Sequence, residues 1–349
     1  MVLSLNEDSF QLQKYKSTKG KPMKTKFKST IRAACQPFGA PVCATALLLM
    51  AASAPAQNLF VANLGAHQSG TTVTEITPGG VQSTFASGLS SPDGLAFNSA
   101  GDLFVANSLG NTITEITPGG AQSTFASGLS SPEKLAFDSA GDLFEADAGS
   151  GNIYKFTSGG VQSTFATGLS IPVGLAFDGA GNLFVTDWGR SSISSIYEFT
   201  PGGVRSTFAT GSVATGLYAP NGLAFNSAGD LFEADTGSGN IYKFTSGGMR
   251  STFASGLDFP TGVAFNSAGD LFMAEFASGN IIEITPDGVQ STFASGLNYP
   301  EGLAFQGVTL PVPEPSALGL LAVGVTALLV RRHRKSWPRV MPRILSRRT

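Results

Sequence analysis

Cysteine and histidine are almost missing from this 349-residue chain, which holds Cys35 and Cys43, His67 and His333, and no others of either kind. Both cysteines precede residue 57, so the rest of the chain can form neither a disulfide nor a thiolate metal site. With His67 in the first loop and His333 near the far end, no Ser/His/Asp set assembles readily. Basic side chains are scarce in the middle. Residues 57–310 carry 21 acidic groups against Lys134, Lys155, Arg190, Arg205, Lys243 and Arg250, a formal charge of −15 that the overall −2 conceals. Such a surface repels nucleic acid and anionic membranes, stays soluble, and favours cations or basic partners. Long apolar runs are lacking too. The longest, 316–330, would reach about 22 Å as a helix, short of the roughly 30 Å hydrocarbon core.

What the chain has is a repeat. Six units share Pro-x-Gly-Leu-Ala-Phe, then Gly-Asp-Leu-Phe-x-Ala, then Ile-x-Glu-Ile-Thr-Pro-Gly-Gly and Ser-Thr-Phe-Ala-Ser-Gly-Leu, with departures. Their prolines stand at Pro92, Pro132, Pro172, Pro220, Pro260 and Pro300, a period of 40 residues broken once by 48. A fixed period of this length means stacked supersecondary units. In the unit after Pro92 the pattern predicts strands over 94–97, 103–106, 112–117 and 123–126, with Gly101 and Pro118-Gly119-Gly120 in the turns. Four strands in one period leave no room for a helix, so the fold class is all-β, a six-bladed β-propeller. Leu95 and Phe97 are expected between blades, Gly94 and Ala96 on the opposite face near the axis. A three-strand fragment over 58–89 precedes the first complete unit, and the last strand, 302–305, has no successors. Three-plus-one pairing of these two pieces would close the ring and remove both free edges.

The ends have a different character. Residues 1–56 form an N-terminal extension and signal peptide: Lys24, Lys26, Lys28 and Arg32 precede the apolar stretch 42–52, and Ala54-Pro55-Ala56 has the form of a cleavage site. Met23 is an alternative start, because the residues before it add nothing a signal needs. At the other end Val312-Pro313-Glu314-Pro315 precedes the apolar run, and Arg331-Arg332-His333-Arg334-Lys335 follows it. Basic residues after a short apolar span keep that side cytoplasmic. This order resembles the PEP-CTERM sorting domain, over 311–335, with a basic tail at 336–349. The resemblance implies an exosortase-type processing enzyme as partner, transient membrane insertion through 316–330, cleavage near Pro313–Pro315, and delivery to the cell envelope, cell surface or extracellular matrix. The alternative is an ordinary C-terminal anchor.

The repeat of residues 58–308 is similar to NHL and related six-bladed propellers, for example over 220–241, which implies a scaffold with diverse binding and catalytic uses. The residue after each repeat proline opens an innermost strand, so Asp93, Glu133, Val173, Asn221, Thr261 and Glu301 should ring one mouth of the channel. Asp93, Glu133, Asn221 and Glu301 are the candidate ligands of calcium or another divalent cation, no cofactor being otherwise required; the competing reading makes them structural. Asn63, Asn107, Asp147, Asp187, Asp235 and Glu275 end the second strands, either as a further polar ring or as turn caps. Asn221 in Pro220-Asn221-Gly222-Leu223-Ala224 resembles the metal-binding asparagine of the gluconolactonase and regucalcin family, with Glu301 as a second ligand. That resemblance implies a metal-dependent lactonase, yet Thr261 stands where the family has its catalytic aspartate. A resemblance to virginiamycin B lyases fails on histidine. No catalytic residue is assigned, and the expected function is a non-catalytic binding or structural one. The 48-residue spacing places extra residues near Trp188 and in 211–219, so Trp188, Arg190 and Tyr218 are the candidate contact for a polysaccharide or protein partner, by stacking; the alternative is that Trp188 packs over a blade edge.

Overall fold

The computed structural model describes residues 57–189, 193–211 and 217–307, which form 24 strands in six four-stranded antiparallel sheets. The expected signal peptide, the sorting segment, the tail and Arg190 lie outside the described residues. Among the described residues the sole helical element is a 3-10 turn at Ala66–Gln68, and no helix is long and apolar enough to cross a membrane.

Blade 2 shows why the repeat folds as it does. Its strands are β4 (Pro92–Phe97), β5 (Leu103–Asn107), β6 (Thr112–Ile116) and β7 (Gln122–Ser127), in that spatial order and within two residues of the expected bounds. Between β4 and β5 the Asn98 Oδ1 accepts from the backbone N–H groups of Ala100 and Asp102, both at 2.9 Å, and Gly101 takes φ 88°. This turn recurs around Asp138, Asp178, Asn226 and Asn266. Blade 3 spans 132–166, blade 4 172–211, blade 5 220–255 and blade 6 260–294.

Blade 1 joins the two ends of the domain. Strand β24 (Pro300–Phe305) pairs with β1 (Leu59–Asn63), Leu59 opposite Phe305 and Val61 opposite Leu303, and β2 (Thr72–Ile76) and β3 (Gln82–Ala86) complete the sheet. The ring is therefore closed by the three-plus-one arrangement, which covers the inner edge of β1 and gives β24 a partner.

Aromatic stacking sets the distance between blades. Phe60 meets Phe85 of its own blade edge-on at 4.9 Å and Phe97 of the next at 5.0 Å. The same trio recurs with Phe104, Phe144, Phe184, Phe232 and Phe272 at its centre. Such T-shaped contacts are worth about 0.5–1.5 kcal/mol beyond area burial. Leu95 and Phe97 pack toward blade 1, as expected, but Ala96 packs with Phe104 and Leu135 toward blade 3 rather than at the axis. Both faces of every sheet are blade interfaces, and that is why the small residue is needed there.

Candidate functional site

The six innermost strands converge so closely that their glycines are steric necessities. A Cβ on Gly174 would lie 2.0 Å from the Asn221 carbonyl oxygen, and one on Gly262 would lie 2.1 Å from that of Glu301. Real Cβ atoms do not approach so near. Below the mouth, Leu95, Leu135, Leu175, Leu223, Val263 and Leu303 surround a cavity of about 60 Å³.

At the mouth, Asp93, Val173, Asn221, Thr261 and Glu301 are all buried, and Glu133 is partly so. The position after the proline thus does line the axis. The group at their centre, however, is Lys134, two residues after its proline, where the other five units have glycine. Its Nζ donates to Asp93 Oδ1 at 2.5 Å and to Glu301 Oε1 at 3.2 Å, and Glu301 Oε1 also accepts from Asn221 Nδ2 at 3.0 Å. Burial works against the Lys134 charge, but the carboxylates of Asp93 and Glu301 together outweigh it and hold the ammonium protonated above the ordinary lysine range. Burial, and then the charge of Asp93, pushes the Glu133 carboxyl well up. Glu301 is raised by burial, against the pull of Lys134. The four residues expected to ligate a cation are gathered here, and the cation that stands among them is the Lys134 ammonium. Among the described residues no group of three or more Asp, Glu, His or Cys side chains is arranged to hold a metal.

Among the residues ending the second strands, the three aspartates bind backbone. Asp147 accepts from Ser130 N at 2.6 Å and Ser150 N at 2.9 Å, Asp187 from Ser170 N and Ile171 N, and Asp235 from Tyr218 N and Ser238 N. They cap the turns that carry the channel mouth. His67 is exposed in its loop, with φ 55°.

Around the mouth one half of the face is aromatic. Trp188 is half-buried and its Nε1 donates to Pro220 O at 2.6 Å, which ties blade 4 to blade 5 and fixes the indole. Tyr218 is exposed and lies over Gly237, where a Cβ would come within 2.1 Å of its ring. Phe259 and Tyr299 precede repeat prolines and are exposed, and Phe276 meets Tyr299 at 4.9 Å. The corresponding residues of blades 2 and 3 are Ser91 and Ser131. All four take φ between 51° and 54°, a conformation that bulky residues rarely adopt.

Two groups escaped the sequence reading. Glu145 and Glu233 have no exposure, and neither carboxyl has a hydrogen-bond partner in the described structure. They stand where other blades have Val61, Val105, Val185 or Met273, and each is paired across strands with a leucine and a tyrosine: Leu135 and Tyr154, Leu223 and Tyr242. Burial above all, with the nearby Asp147 or Asp235, pushes both carboxyls well above the usual range. The break in an otherwise apolar position was the available signal.

No curated protein matches the chain. Among solved structures, a chain of a nidogen/laminin complex is similar over 73% of this chain and 99% of its own, at 22% identity and TM-score 0.64. A putative gluconolactonase is similar over 64% and 90% respectively, at 14% identity and TM-score 0.54. Virginiamycin B lyase from Staphylococcus aureus is similar over 62% and 77%, at 18% identity and TM-score 0.51. At these identities the likeness is one of fold. Residues 311–335 match the PEP-CTERM protein-sorting motif, which implies export, sorting to the cell envelope or surface, and processing by an exosortase. The chain is a six-bladed β-propeller that carries a PEP-CTERM sorting motif.

Proposed function

We propose that this protein is an exported, non-catalytic binding component of the cell surface or extracellular matrix, released to that site by processing at Val312-Pro313-Glu314-Pro315. The observation that carries the reading is the aromatic half of the channel face. Phe259 and Tyr299 hold a left-handed backbone conformation that serine occupies at Ser91 and Ser131, and they expose their rings there. The same turn takes positive φ at Ser91, Ser131 and Ala219, so the backbone does not call for a ring there, and strained positions of this kind gather at binding sites. With Trp188 and Tyr218 these rings form a rigid stacking surface for a polysaccharide or a protein partner. The lactonase reading has less support. The general base lacks an owner at Thr261, and an ammonium stands among the groups that would hold the metal.

The test is a pair of substitutions, Phe259→Ser with Tyr299→Ser, which copies the native residues of blades 2 and 3. The doubly substituted full chain is expected to melt no lower than the wild type and to bind isolated cell-surface material at least about tenfold more weakly, as loss of anchor residues does. Unchanged binding would remove the aromatic face from the account. Separately, a chain lacking 311–335 is expected to stay cell-associated and unprocessed, as followed by immunoblotting of fractions.

A further inference from the structure

Five of six units place glycine two residues after the repeat proline, because a Cβ there would strike the next strand: 2.3 Å from Glu133 O at Gly94, 2.5 Å from Thr261 O at Gly222 and 2.0 Å from Asp93 O at Gly302. Blade 3 alone carries a side chain at this position, and it is a long, flexible cation. Lys134 is 8% exposed and reaches Asp93 of blade 2 and Glu301 of blade 1. Asn221 of blade 5 binds Glu301 by its Nδ2, while its Oδ1, also buried, has no hydrogen-bond partner in the described structure. An oxygen-rich ring with a spare amide oxygen is the donor set of a hard cation, and the chain has filled it from within.

We propose that Lys134 is the built-in cation of this channel: its ammonium takes the place of a free divalent ion and ties four blades together without metal. Two buried carboxylates and the partly buried Glu133 surround that position, so removing the ammonium leaves uncompensated charge on the axis, a far larger cost than the loss of a surface pair.

The test uses the full chain and Lys134→Gly, the residue that the other five units show the backbone accepts. Without divalent ions the variant is expected to melt roughly 10 °C lower than the wild type, the shift that breaking a buried pair produces in a domain of this size. Millimolar calcium chloride should return most of that loss and leave the wild type unmoved. If Lys134→Gly does not fold, adding Asp93→Asn and Glu301→Gln, which neutralise the ring, should restore a cooperative melt. The proposal is overturned by a Lys134→Gly variant as stable as wild type in chelator, by one that neither calcium nor neutralisation rescues, or by a wild type that calcium stabilises.

Discussion

A chain that stops before Pro300 will fail to form a monomeric cooperative fold. It loses Leu303 and Phe305, both buried, and their burial is worth about 3–6 kcal/mol against a total stability of about 5–15 kcal/mol. It also bares the inner edge of β1, where Leu59 and Val61 are fully buried, and it takes Glu301 from Lys134. An open apolar edge pairs with other copies. Size-exclusion chromatography and thermal melting followed by circular dichroism should show oligomers and no sharp transition. The defect should be repaired by position alone: residues 300–305 placed before Leu59 through an Asn-Ser-Ala-Gly-Asp turn, as in blade 2, make a strand order that every other blade already uses. A truncated chain that melts sharply as a monomer would refute closure by β24.

Replacing Glu145 and Glu233 by methionine, the residue at the same place in blade 6, will stabilise the protein. Each substitution removes a buried polar group without a hydrogen-bond partner, at a gain of about 1–3 kcal/mol, so the pair should raise the melting temperature by roughly 5–15 °C in a domain of this size. The volume is nearly kept, and Met273 shows that the layer accepts it without exposure. The pH dependence has a definite sign. Both carboxyls ionise at higher pH in the folded than in the unfolded chain, so the native state binds more protons and stability falls as pH rises from about 4.3, the unfolded value, toward the raised folded value. The advantage of the double variant should therefore be small near pH 4 and grow toward neutrality. A double variant that melts below the wild type, or with the same pH profile, would mean that these carboxyls have partners in solution.

The ring was legible because its determinants are local and repeated. Six prolines at a 40-residue period broken once, Asx turns at Asn98 and its equivalents, and a three-strand fragment at the start with a lone strand at the end leave ring closure as the arrangement that completes every blade. The channel was only half legible. Asp93, Asn221 and Glu301 could be placed at the axis by counting from the proline, but Lys134 has meaning only when its long side chain is seen to reach across blades; in the sequence it is a glycine position that failed to be glycine. The strained aromatics were hidden for another reason. A residue before proline is biased toward an extended backbone, whereas Phe259 and Tyr299 are turned to positive φ in loops where Phe276 N donates to Phe259 O and Leu64 N to Tyr299 O. Those bonds come from the neighbouring second strand, far from the proline in sequence.

The central claim is that the axis carries its own cation and that binding, not metal chemistry, is the work of this propeller. The most direct measurement is elemental analysis of the protein isolated from its own cells, with thermal melting before and after chelator. The protein should carry no stoichiometric divalent metal and keep its melting temperature on chelation. One equivalent of calcium or zinc, with a melting temperature that falls on chelation, would contradict it and return Asp93, Glu133, Asn221 and Glu301 to the role of metal ligands.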